Sequence, residues 1–465
     1  MKLKTIFALS FWILLLAISC KTDDISFDAP SQALRFSRDT VFCDTVYHQV
    51  RSETYAVKVY NQEDKDVMIP KISLKGGNAS PYRINLDGKP GTEFRNVPLR
   101  KKDSLFIFVE IAPVANATQA IAEDKIQFQA LGTQEVTLFS VVQDAEFFIQ
   151  NKNNPNILNT NTTWTNKKAK IIFGDLTLAE GKSLNIEAGT KVYFTKNSSL
   201  KLSKSSTLNA SGDLGNEVVF RGDRNDTRYD TIPLNWKGIT AEPGAILNFN
   251  YAKIFGGETG ILMKSATANI KNTIIHTFQT HGILAVASTL KAENMVMNNC
   301  GEADLAIQKG GSIDLTHCTL ANYWRQNSAL PSYGILAANE WKNAAGTAEY
   351  GALSLNVRNS IIYGDKETAV MLKPTTGQTF NYLFDSSLLK YSTNSGFNFD
   401  GNPWVINSIK NEAPLFTNYF VEKMNLRVAA KSPAKGKARL TTAQSVPLDI
   451  VKISRATNPT IGAYQ

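Results

Sequence analysis

Glu258, His281 and Glu302 recur near one position of a repeating phrase. An imidazole set between two carboxylates could move protons, because each group titrates near neutral pH when its surroundings are tuned. Polar residues are also the default at a turn on solvent, so the same three side chains read equally as a wetted edge. A second set is aromatic and cationic. Arg224, Arg228 and Tyr229 lie in GDRNDTRYDTIPLN, Tyr323, Trp324 and Arg325 lie in ANYWRQNSALPS, and Tyr333 and Trp341 follow. Flat apolar rings beside forked guanidinium donors suit sugars, acidic ones above all. Several of the same rings could instead plug the fold and hold the loops down. The four histidines are scattered and neither CxxC nor HExxH occurs, so no metal and no other cofactor is expected.

The elements that must position these groups show in the spacing. AILNFNYAKIFGGETGILMKSA (245–266), TANIKNTIIHTFQTHGILAVAS (267–288) and TLKAENMVMNNCGEADLAIQKGG (289–311) start 22 residues apart. Asn250, Asn272 and Asn294 fall in one column, continued by His317, Asn359 and Asp385, and Ile261, Ile283 and Leu305 fall in another. A period of about 20 to 30 residues marks a stacked repeat. No stretch of this region carries an apolar i, i+3, i+4, i+7 stripe, which disfavours helical solenoids. The outward column beside the repeated Gly-Ile phrase reads Glu242, Lys264, Val286, Gln308, Ala338 and Lys373, which makes neither a calcium cluster nor a carboxylate pair. The two loops, 222–235 and 321–332, stand four repeats apart, on the order of 19 Å at β-strand spacing, a span suited to a short stretch of polymer.

The rest of the chain divides by pattern. Residues 31–148 carry short alternating strands such as ETYAVKVY, DSLFIFVEI and EVTLFSVV, parted by turn clusters. Period-two alternation with turns every 8 to 12 residues predicts a β-sandwich resembling Ig-like modules. The polar run Gln150 to Asn156 predicts a linker over 149–162, and 163–465 the stacked repeat. A formal charge of +9 is a mild excess and gives no reason to expect a nucleic-acid partner. Cys300 and Cys318 fall in different columns, so spacing predicts no disulfide between them.

At the start, Lys2 and Lys4 precede the apolar run Ile6 to Ile18, which has the proportions of a secretory signal over 1–19. It ends Ala17-Ile18-Ser19-Cys20, resembling the lipobox of bacterial lipoproteins, in which Cys20 would carry the lipid and 20–30 would form a tether. Lys21-Thr22-Asp23-Asp24 resembles surface-export signals of Bacteroidetes. EVVFRGDR, WKGI, THCTLANYW and SPAKGKA…IGAYQ resemble the right-handed parallel β-helix lipoproteins of that group. The resemblance implies an all-β chain, an Ig-like domain followed by a right-handed parallel β-helix, with the asparagine column as an inward ladder. It implies a lipid anchor in the outer membrane. The aromatic and arginine-bearing loops beside a strand face without paired carboxylates add the expectation of a face that binds an extended partner such as a polysaccharide or surface glycan, without catalysis. Two further readings stay open. One is a β-helix polysaccharide lyase or glycoside hydrolase using His281, Glu258 or Glu302 with Lys237 or Lys264, and the other is a structural or adhesive surface protein.

Overall fold

The computed structural model describes residues 26–47, 54–111, 119–224, 227–392 and 398–465. The signal segment and Cys20 lie outside these residues. Two compact units divide at residue 143.

The first unit is built from two five-stranded sheets. Alternation places Val57, Val59, Ile107 and Val109 of one sheet and Ile69, Ile72, Ile126 and Phe128 of the other in one shared core. Their polar neighbours face water, as a half-solvated strand requires. Among the described residues the strand pairings are antiparallel except where Thr40–Tyr47 runs parallel to Gly132–Gln143, and an isolated bridge joins Asp28 to Val67 in parallel.

The second unit is a coil of parallel strands with three walls, a parallel β-helix-like arrangement. The chain visits the walls in fixed order. Ile274–Phe278 lies in the first wall, and His281–Glu293 bends from the second into the third. Val296–Cys300 then returns to the first, and Ala303–Thr316 repeats the bend. The first wall is an 11-stranded parallel sheet, and the other two merge into one of 17 strands. Ile261, Ile283, Leu305, Ile335 and Val370 stack in register and are buried, as are their counterparts in the other walls. The 22-residue column of the sequence is therefore one interior line of the coil.

A left-handed residue turns the third wall into the first. Tyr251, Asn272, Asn294, His317, Asn359, Ser386 and Asn407 hold this position, with φ between 49° and 55°. Asparagine tolerates that region better than most residues, because its short amide can bond locally. Asn272 Nδ2 donates to Asn250 Oδ1 and Asn294 Nδ2 to Asn272 Oδ1, both at 2.9 Å, and Asn359 Nδ2 lies 3.0 Å from His317 Nε2. Two of the residues aligned by sequence sit one place early. Asn250 pairs in register with Lys271, and Asp385 with Arg358. The turn Glu242 to Ala245 contains Pro243-Gly244 and holds one residue more than its successor, Lys264 to Ala266, which shifts Asn250 by one.

The run from Gln150 to Asn156 is a turn of the first coil rather than a linker. Ala145–Ile149 already pairs with Ala169–Phe173, and Ile157–Leu158 with the next strand of its wall. Asparagines serve there because Asn151 and Asn154 accept backbone N–H groups through their side chains.

The closing segment, 412–465, adds no coil. It doubles back over the outer side of the first wall, burying Leu426, Ile450 and Ala463 against Val296 and Ala321. It also covers the turn column: Asn294 Nδ2 donates to Leu448 O, Asn359 Nδ2 to Arg439 O, and the Arg439 N–H to Asn359 Oδ1.

Candidate binding face

The acid–base trio does not assemble. His281 is buried, and its Nε2 lies 3.3 Å from Glu302 Oε2 at an angle that leaves both ring nitrogens without a hydrogen bond among the described residues. Burial pushes the ring down to about 4, so the imidazole is neutral at pH 7. Exposed Glu258 belongs to the backbone column of Thr280 and Glu302, two strand steps from Glu302, or roughly 10 Å.

The two aromatic loops do not frame a groove. Their ends meet, with Gln326 Nε2 donating to Thr231 O at 2.8 Å, because both lean across the first wall onto the returning tail. Trp324 is 2% exposed and its indole N–H donates to Asn327 O. Tyr323 stacks on Tyr419 with centroids 4.1 Å apart, and burial raises its hydroxyl. Arg325 lies over Phe420, 4.2 Å from its centroid, and Arg224 covers and bonds Tyr229. Arg228 is exposed, and Tyr333 is half-buried. Trp341 is half-buried too, in an excursion pairing Glu340–Lys342 with Ala348–Tyr350 and tied down by Lys309 to Glu349 at 2.6 Å. It lines a shallow cleft of about 490 Å³ on the second wall with Gln308, Ala338 and Lys373.

Within the coil, Asp304 replaces a glycine. Its strand neighbours in register are Gly282 and Gly334. The carboxyl is fully buried, and neither oxygen has a protein hydrogen bond of ordinary geometry among the described residues. Burial therefore holds its pKa well above the usual carboxylate range, and it likewise raises the neighbouring Cys300 thiol. The native state keeps a proton that the unfolded chain releases near pH 4. This contribution is fully present below that pH and is lost as pH rises toward the folded pKa, at about 1.4 kcal/mol per pH unit. Asp304→Asn abolishes the titration, so the urea midpoint of the variant relative to the parent is expected to rise as the pH is raised above about 4. A constant difference would mean that the carboxyl is ionised in the folded protein.

The third wall presents the open face. Its outward column runs Asn185, Asn209, Asn248, Asn269, Lys291, Asp314, Asn356, Leu383. Trp404 follows one strand further, where its carbonyl accepts the Phe384 N–H at 2.8 Å. The first four amides form a ladder: Asn209 donates to Asn185, Asn248 to Asn209 and Asn269 to Asn248, at 2.8–2.9 Å. Two residues before each amide stand Ser183, Thr207, Ile246 and Thr267. At the far end a cleft of about 430 Å³ is lined by Ser354, Asn356, Asn381, Tyr382 and Trp404. Trp404 is 59% exposed. The sequence carries the signal in SLNI, TLNA, ILNF, TANI and SLNV, whereas the column at Asn272 marks the turn.

No protein-family model matches this chain. No curated protein matches it either. Solved structures similar to part of it include a family 123 glycoside hydrolase from Clostridium perfringens, studied for glycolipid glycan hydrolysis (12% identity, 23% of each chain, TM-score 0.18). A PapD-like domain of human CEP192 is similar at 14% identity over 28% of this chain and 97% of that one, TM-score 0.18. The periplasmic chaperone SfaE is similar at 10% identity over 29% and 66%, TM-score 0.17. The chain spans 23% of the length of the hydrolase it matches.

Proposed function

We propose that this chain is a cell-envelope lipoprotein, anchored through Cys20 and displayed at the outer membrane as in the Bacteroidetes proteins it resembles. In this reading the first unit is an Ig-like stalk and the second a right-handed parallel β-helix, the hand that about 98% of parallel crossovers adopt. The coil binds a glycan on its third wall, without catalysis. One observation carries the reading: Trp404 is exposed on the wall that carries the carboxamide ladder, beside a cleft with Asn356 and Asn381. An aromatic plane takes the apolar face of a sugar, and amides donate to and accept from its hydroxyls.

The test is affinity electrophoresis of the mature chain in gels containing neutral or acidic polysaccharides. The parent is expected to be retarded in at least one. Trp404→Ala is expected to weaken that binding tenfold or more, a loss of about 1.4 kcal/mol or greater. Unchanged mobility of the parent in every gel would overturn the proposal, as would equal retention of the folded variant.

A further inference from the structure

Resting on that glycan reading, we infer that the amide column of the third wall is an extended subsite along which a linear polysaccharide lies parallel to the coil axis. From Asn185 to Trp404 the column makes eight strand steps, about 38 Å at the spacing of paired strands. An asparagine amide has two N–H donors and two acceptor lone pairs. Asn209 and Asn248 each spend one N–H and one lone pair on the ladder. One donor and one acceptor then remain per strand, at a regular interval and with their orientation fixed by the neighbouring amides. Such a row bonds successive hydroxyls of an extended chain without any side chain having to be ordered first, which lowers the cost of binding.

The same observations select against other polymers. The interior strands of this wall are hydrogen-bonded on both sides, so a peptide finds no free edge to extend. The charges on the column are already paired: Lys291 with Glu293 at 3.5 Å, and Asp314 with Arg358 at 2.8 Å. No cationic stripe is left for a nucleic-acid backbone. A ligand rich in neutral donors and acceptors fits this face. The tail covers the first wall at Ile274, Val296 and Ala321.

The experiment uses the mature chain with β-1,4-linked glucose, β-1,4-linked N-acetylglucosamine and galacturonate oligomers of two to eight sugars, measured by calorimetry. The parent is expected to bind the longest oligomer of one series at least tenfold more tightly than the shortest. Asn269 lies about 24 Å from Trp404 by strand spacing, so only the longer oligomers reach it. In N248V/N269V, where valine keeps strand propensity, the length dependence is expected to vanish and the short oligomers to bind as before. Trp404→Ala is expected to lose short and long alike. If the folded double variant keeps the parent's full length dependence, the column is a structural ladder only and the inference falls, while the Trp404 site stands. Absence of binding by the parent to every series overturns both.

Discussion

Gly238→Ala is expected to unfold the coiled unit or to cost it about 4 kcal/mol or more, the range reached when a substitution forces backbone apart. Gly238 has φ +115°, and a Cβ there would lie 1.6 Å from the carbonyl oxygen of Thr259 in the next coil. No rotamer relieves that contact, since both partners are backbone. The adjacent Ile239 N–H bonds Gly260 O at 2.9 Å, so moving the strands apart also breaks a rung. Gly181→Ala is the control, with φ +67° and nothing within 4 Å of its Cβ position. It is expected to lose only about 1–2 kcal/mol for the left-handed conformation. Urea unfolding followed by tryptophan emission would report both, because Trp236 is buried and stacks on Phe194 with centroids 4.2 Å apart. Equal losses would show that the coils can separate at this point.

The second large effect concerns Arg455. This guanidinium is 1% exposed and donates to four carbonyls, those of Val446, Leu448, Gly462 and Ala463. Burial lowers it to about 10, which leaves it charged at neutral pH. Arg455→Met takes a donor from each of these carbonyls; Leu448 O keeps Asn294 Nδ2 and Ala463 O keeps the Ile450 N–H, so the cost falls mainly on Val446 O and on Gly462 O, which keeps only His317 Nδ1, at about 1–3 kcal/mol each. A total of a few kcal/mol is expected once the released cost of burying the charge is set against it. The loss should fall on the tail first. Limited proteolysis is expected to cut within 412–465 while leaving the coils intact, and Arg455→Lys, with three donors, should fall between. Uniform resistance of the methionine variant would mean that apolar contacts alone hold the tail.

Much of the coil was legible because a stacked parallel wall forces like residues into register every turn. Ile261, Ile283 and Leu305 share an interior line, so their spacing appears directly in the sequence. What escaped was set by turn length and by the tail. One added residue at Pro243-Gly244 moved Asn250 out of column without changing its chemistry. The aromatic loops misled for a similar reason. Tyr323 and Arg325 of the second loop are covered by Tyr419 and Phe420, nearly a hundred residues away, and no local pattern announces that the chain returns there. Trp404 carries no sequence signal because the strand that follows it, Val405–Ile406, is only two residues long and shows no alternation.

The excursion Glu340–Tyr350 has a use in engineering. His317 and Asn359 stand 42 residues apart, against 22 for Asn272 and Asn294, yet they occupy consecutive places in the same turn column. The coil thus accepts a doubled rung by extruding the surplus at two corners, in the loop 323–332 and in this excursion, whose stem Asn339 holds by donating to Gly351 O and Thr379 O. Foreign loops grafted between Asn339 and Gly351 would leave the stacking above and below undisturbed.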